Sequence, residues 1–260
     1  MNSLATPARW ERFVLPLLAL VIAFAFWHVS VRWSGTKVFP SPLEVEKGMV
    51  ELIHKHVLWN DIVDSLRRVA LGFGTAAILG IPLGLILGWY PAINQVVNPL
   101  IQILRPISPL AWIPVTILLF GVGDHAATSL IFLGAFFPIT VACVDGVANV
   151  PSVYRRAGRN FGLKPTQLLA RVVFPAALPQ IIVGLRIALG ISWLVVVAAE
   201  MVAVDSGLGY LVIDSRNSGK RYDLVVAAML LIGIIGLVLD LLFRSVEQFK
   251  SVRWGFRHDA

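Results

Sequence analysis

Six apolar runs constrain what this chain can fold into. They cover about Phe13 to Val31, Ser65 to Trp89, Asn94 to Phe120, Ala126 to Val144, Gly184 to Val204 and Leu224 to Phe243. A helix needs about 20 mostly apolar residues to cross a bilayer, and each run reaches or approaches that length. Residues are 57% hydrophobic and 14% charged, and mean hydropathy is +0.80. The chain therefore reads as one all-α integral membrane domain over residues 1–260, with six spans rather than a soluble core. A secretory leader has an apolar core of roughly 7–15 residues before a small-residue cleavage site. The first run is longer and has no such site, so it reads as a span.

Charge sets the orientation. The net charge is +7, but no basic cluster carries the interleaved aromatics of a nucleic-acid face. Half of the 22 Lys and Arg fall in three places. These are the amino terminus (Arg9, Arg12), the segment from 154 to 179, and the tail (Arg244, Lys250, Arg253, Arg257). The acids there are Glu11, Glu247 and Asp259. Lys and Arg favour cytoplasmic loops, so both termini and the basic segment are expected inside, which requires an even number of crossings. Arg67 and Arg68, at the outer end of the second run, break this pattern. Between runs one and two, Ser41, Pro42 and Glu44 form a capping box. An amphipathic helix with mixed charges is expected from there to about Lys55, on the outer face.

Several features inside the spans invite a reading. Gly72, Ala76, Gly80, Gly84 and Gly88 recur every fourth residue, as do Gly184, Ala188 and Ser192. Such stripes let helices approach closely in lipid. The third run is broken by Arg105-Pro-Ile-Ser-Pro-Leu-Ala-Trp-Ile-Pro114. Its prolines free backbone carbonyls, tolerable at membrane depth only where the backbone is buried in protein or lines a watery cavity. Ser108 and Trp112 are expected one turn apart, facing that cavity. Arg105 either lines it or snorkels to the inner interface. Glu200, near the outer end of the fifth run, either lines a route or is a paired or water-facing acid, and Asp240 lies near the inner end of the sixth. Cys143, the one cysteine, reads as packing. The glycines of Asp205-Ser-Gly-Leu-Gly-Tyr210 suggest a tight turn.

The segment Tyr154 to Pro179 holds Arg155, Arg156, Arg159, Lys164 and Arg171 and no acid. Gly162 suits the left-handed residue that closes a helix, and Pro165 the first turn of the next. Pro175, unable to donate an amide, is expected to stop that second helix at Phe174.

In spacing, this segment resembles the EAA loop of ABC importer permeases: Glu-Ala-Ala, three residues, Gly, nine residues, Ile, one residue, Leu-Pro. Aligned on Gly162 and Pro175, Ala157 keeps its place, and Val172 and Phe174 stand for Ile and Leu. Arg156 replaces the Glu and Gly158 the second Ala, which implies a partner groove of different local charge. Four more stretches resemble the nitrate, sulfonate, taurine and bicarbonate branch. They are Phe39-Pro-Ser-Pro-Leu, the 105–114 segment, Gly184-Leu-Arg-Ile-Ala-Leu-Gly-Ile-Ser-Trp, and Ala199-Glu-Met followed by Gly207-Leu-Gly-Tyr.

The resemblance implies a six-helix, MetI-like type I importer permease in a bacterial inner membrane. Two copies would enclose one path for a small oxyanion or organic sulfonate. Two cytoplasmic ATPase subunits would bind ATP and Mg, this chain would hold no cofactor or metal, and a periplasmic or lipid-anchored binding protein would deliver the cargo. The cytoplasmic coupling loop would cover about 146–183, with Arg155, Arg156, Ala157, Gly158, Gly162, Leu163, Pro165, Leu168 and Pro175 meeting the ATPase. Arg105, Ser108, Trp112, Ser192 and Glu200 are the path candidates.

Two other classes fit less well. A stand-alone ion-coupled carrier or channel calls for buried mid-span carboxylates, whereas Glu200 and Asp240 lie near span ends. A membrane enzyme calls for a clustered site, whereas His28, His54, His56, His125 and His258 are scattered, and His54-x-His56 is too sparse for a metal. The absence of a Gly-x-x-x-x-Gly-Lys-Ser/Thr loop means that any ATP chemistry belongs to another subunit.

Overall fold

The computed structural model describes residues 11–34, 39–54 and 57–247. Arg9, Lys55, His56, Lys250, Arg253, Arg257, His258 and Asp259, to which the sequence assigns places, lie outside the described residues. All regular elements among the described residues are helical: α1 (Glu11–Ser34), α2 (Pro42–His54), α3 (Val57–Trp89), α4 (Pro91–Leu104), a 3₁₀ turn (Pro109–Trp112), α5 (Ile113–Phe120), α6 (Asp124–Ala148), α7 (Ser152–Asn160), α8 (Pro165–Leu168), a π segment (Leu169–Val173), α9 (Phe174–Ala203), α10 (Leu208–Asn217) and α11 (Tyr222–Glu247). They divide into two compact units, Met1–Leu58 with Val212–Leu230, and Trp59–Leu211 with Leu231–Ala260.

In the first unit, the expected capping box starts α2. The Ser41 amide and hydroxyl donate to Glu44 Oε2 at 2.7 and 2.9 Å. Val45, Gly48 and Leu52 form the buried stripe of α2. Gly48 faces the backbone of Asp223, where an added Cβ would stand 3.0 Å from the carbonyl oxygen. Arg221, just before α11, bridges Glu51 and Asp223.

In the second unit, the small-residue stripe of α3 lies on α6. Built on Gly72, Gly80, Gly84 and Gly88, a Cβ would meet Ile131, Ile139 with Thr140, Cys143 and Val147 respectively. The two sets advance in step, so α3 and α6 run parallel. Cys143 fills the space that Gly84 leaves and is fully buried. Helix α9 runs antiparallel to α6: Gly134 faces Ile191 and Val195, Gly184 faces Ala142, and Gly146 faces Ala177 and Ile181. Helix α11 is antiparallel to α9. Trp193 donates from Nε1 to the Ile232 carbonyl at 3.0 Å and lies against Gly236, while Arg186 pairs with Asp240.

These directions settle the third run. Helices α4 and α5 are bent by 84° at a short break, a geometry open to a broken span or a re-entrant loop. Near its end at Trp89, helix α3 sets Gly88 beside Val147, near the end of α6, and the chain must then reach Asp124 at the start of α6. The segment between therefore traverses the bundle. Four helices are long and apolar enough to cross a membrane, and the bent pair makes a fifth crossing. The apolar stretch of α1 is shorter, Leu17–Trp33, so the expected six is reached only if that helix also crosses.

Three expectations need correcting. Pro175 does not end a helix, and the fifth run does not begin near Gly184, because one apolar helical segment runs from Pro165 to Ala203. Proline normally clashes with the carbonyl four residues back. Here the turn before it widens to the π form, with the Phe174 amide on the Leu169 carbonyl, and the ring is accommodated. Secondly, α3 starts at Val57 rather than near Ser65, which sets Arg67 and Arg68 inside it. Thirdly, the 205–210 turn leads directly into the unforeseen helix α10.

Candidate functional site

The two ends of α6 carry different chemistry, and its 25 residues hold them roughly 36 Å apart at 1.5 Å per residue.

At the first end, an ionic cluster joins α3, α6 and α9. Arg68 is 3% exposed. It donates from Nε to Asp124 at 2.8 Å, from Nη1 to Glu200 at 2.8 Å and to the Ser206 carbonyl at 2.9 Å, and from Nη2 to the Ser206 hydroxyl at 2.7 Å. Arg67 also pairs with Asp124. Glu200 is fully buried and accepts two further bonds on Oε2, from the Ser65 hydroxyl and the Gly209 amide, both at 2.9 Å. The turn after α9 is held as well: the Gly207 amide donates to Asp61 and the Leu208 amide to Ser65. Gly207 has φ +106, and a Cβ there would enter the Glu200 carboxylate, so glycine is required twice over. A charge this deep persists only when paired and hydrogen-bonded, and that requirement accounts for the two arginines that break the charge pattern. Glu200 is thus a paired acid and does not face water.

At the other end lies the basic segment. Helix α7 closes in a Schellman motif: the Leu163 amide donates to the Gly158 carbonyl at 3.1 Å and the Gly162 amide to Arg159 at 2.9 Å, with Gly162 at φ +74. Both bonds satisfy carbonyls that the helix end would strand. Lys164 then caps α8, its amide donating to Gln167 Oε1 at 3.1 Å, with Pro165 in the first turn. Gly158 is buried beneath Leu168 and Leu163, and Leu168 is itself buried, so these three hold α7 against α8. Arg155 is half-buried and donates to the Val147 carbonyl at 2.6 Å, tying the segment to the end of α6. Arg156, Ala157, Gly162 and Pro165 remain exposed, and Pro175 is half-buried at the start of α9.

The path candidates separate. Arg105 and Ser108 are exposed and Trp112 is half-buried at the break between α4 and α5. The Ser108 hydroxyl accepts from the Leu110 amide at 3.3 Å and caps the 3₁₀ turn. Pro109 lies against Gly134, close to the middle of α6, so the break sits near half-depth. Ser192 is buried on α9, donating to the Ala188 carbonyl at 2.9 Å. Sequence reasoning missed Arg186, which forms a bidentate pair with Asp240 at 2.6 and 3.0 Å and reaches Glu247 at 3.4 Å. An arginine and an acid in apolar runs were the signal, since charges at membrane depth seek one another. Among the described residues, no cluster of three His, Cys, Asp or Glu is arranged to hold a metal.

Comparison with known proteins identifies the architecture. Residues 80–252 match the family described as "Binding-protein-dependent transport system inner membrane component". The chain is 44% identical to an ABC transporter permease protein of Methanocaldococcus jannaschii, over 90% of this chain and 88% of that one. It is 37% identical to the taurine transport system permease of Escherichia coli (88% and 85%) and 34% identical to the nitrate import permease of Synechocystis (91% and 89%). Its fold is similar to that of a chain in the inward-facing MetNI methionine ABC transporter, with a TM-score of 0.64 at 20% identity, covering 73% of this chain and 94% of that one. On the family match and on relatives that cover most of both chains, this protein belongs to the inner-membrane components of binding-protein-dependent transport systems, the permease subunits of ABC importers.

Proposed function

We propose that this permease carries a small oxyanion or organic sulfonate inward, with two copies enclosing one path. Two cytoplasmic subunits bind ATP and Mg, a binding protein delivers cargo from the other face, and this chain binds no cofactor. The observation that carries the reading is the basic, acid-free helix–turn–helix at one end of α6, continuous with α9. A surface rigidly joined to a long span is what a mechanical input needs, and ATP binding then favours one of two packings of the spans.

The excess of Lys and Arg in that segment supports a cytoplasmic position for it. Helix α11 runs antiparallel to α9, which supports a cytoplasmic position for its last residue, Glu247. If α1 crosses through Leu17–Trp33, six crossings result, an even number as the charge pattern requires. The relatives named for taurine and nitrate import support a cargo that carries an oxyanion or sulfonate group. So does Arg105 at the break near half-depth, with Trp112 as a bulky gate and Ser108 and Ser192 near the route. Glu200, sealed in its cluster, is left out of the path.

Replacing Gly162 with valine tests the reading. Valine strains the positive φ that closes α7, so uptake of labelled taurine or nitrate and co-purification of the ATPase should both fall while membrane insertion persists. Undiminished uptake by that variant overturns the proposal.

A further inference from the structure

The cations of the basic segment do two different jobs. Arg155 turns inward to the end of α6. Arg156, Arg159, Lys164 and Arg171 are exposed and make no ion pair among the described residues. No Asp or Glu occurs from residue 146 to 183, so nothing in the segment itself neutralises them. Just past the end of α7, Phe161 is 87% exposed, and Val153 and Tyr154 at the start of the same helix are exposed as well. The apolar residues that could have covered Phe161, Leu163 and Leu168, are instead spent packing against Gly158.

An exposed aromatic among unpaired arginines has the composition of an interface core. The doubly hydrogen-bonded turn that carries Phe161 fixes its position before any partner arrives, which lowers the ordering cost of binding. Cations on a mobile loop suffice to meet a lipid surface, whereas a fixed knob flanked by fixed charges matches a shaped protein groove.

We propose that the partner receiving this segment presents an acidic groove whose floor has an apolar pocket for Phe161, the reverse of a groove suited to the glutamate that Arg156 replaces. The inference rests on the reading of the chain as an ATP-driven permease, and it names the chemistry that the ATP-binding subunit must offer. Arg156 and Arg159 supply the charge, Phe161 the anchor, and Arg155 the attachment to α6.

The test is binding of the purified ATP-binding subunit of the same transporter to the full-length chain in nanodiscs, with neutral and with anionic lipid. Expected is wild-type affinity that falls at least about tenfold between roughly 50 and 500 mM salt, as screening shortens the reach of charges. Arg156→Glu with Arg159→Glu should lose about tenfold or more, and Phe161→Ala about tenfold, the scale of an aromatic anchor. Lys47→Glu, on α2, should bind as the wild type. Should a variant fail to fold, the wild-type salt titration still decides. Tight binding that ignores salt, charge reversal and loss of Phe161 overturns the acidic groove while leaving the permease reading intact. No binding by the wild type at any salt contradicts both. Variants that keep the ATPase but lose an effect of anionic lipid assign the cations to the bilayer and overturn the proposal.

Discussion

Arg68 and Glu200 stand 132 positions apart in the chain and meet at 2.8 Å, both essentially sealed from solvent. Around them, Asp124, Ser65, Ser206 and the Gly209 amide complete the hydrogen bonding. A point inside α3 is thereby tied to the start of α6 and the end of α9, at the face opposite the basic segment.

Removing one partner of a buried pair leaves the other charge uncompensated, at a cost of about 3–5 kcal/mol. Arg68→Ala should therefore lower thermal stability sharply in detergent. Arg68→Met combined with Glu200→Leu should recover much of the loss, because neither charge is then stranded. A melting temperature for Arg68→Ala equal to that of the wild type contradicts the assignment.

The α3 glycines differ in what they face. Gly84→Ala would drive a methyl group into Cys143 and the Thr140 backbone, and overpacking of this kind costs about 1–3 kcal/mol. Gly74 has nothing within 4 Å, so Gly74→Ala should be neutral or stabilise by up to about 1 kcal/mol through helix propensity. Paired unfolding curves in one detergent decide the matter, and equal effects at both positions contradict the parallel α3–α6 packing.

Helix α2 has a pH-sensitive start. The Ser41 amide and then its hydroxyl hold the Glu44 carboxyl below the usual carboxylate range. A depressed value stabilises the fold only while the group is ionised. The contribution is therefore fully present above about pH 4.3, the ordinary value, and is lost as pH falls through the lowered one. Protection of the amides at the start of α2, taken relative to their intrinsic exchange at each pH, should fall in that acid window, and Glu44→Gln should lower that protection at neutral pH and remove the step. A Glu44 titration at or above the ordinary value contradicts this.

Arg186 and Asp240 tie α9 to α11. Either Arg186→Asp or Asp240→Arg alone should loosen the two helices, read as faster cross-linking of cysteines placed outside the contact. The double exchange should restore wild-type behaviour in large part. Equal loosening in the single and double variants argues that size rather than charge matters there.

Local chemistry was legible in the sequence. The Ser41–Glu44 cap, the Gly162 closure and the Pro165 start each depend on a few neighbouring residues, and each forms as expected. The apolar runs and the glycine stripe likewise announced close helix packing. Pro175 misled because a π turn is a cooperative adjustment of five residues that no single residue signals. The meaning of Arg68 was hidden for a different reason: its partners come from the start of α6 and the end of α9, and only the folded bundle brings those ends together. Arg155 looked like a partner contact from its charge, yet a carbonyl at the end of α6 claims it.

The central claim is that the segment from 154 to 179 takes work from a separate nucleotide-hydrolysing subunit. Proteoliposomes holding this permease, loaded or not with its ATP-binding subunit and supplied with binding protein and labelled taurine or nitrate, test it most directly. The account predicts accumulation only when the ATP-binding subunit and ATP are present, and its loss in Gly162→Val. Accumulation against a gradient by this chain alone, with neither subunit nor ATP, would contradict it.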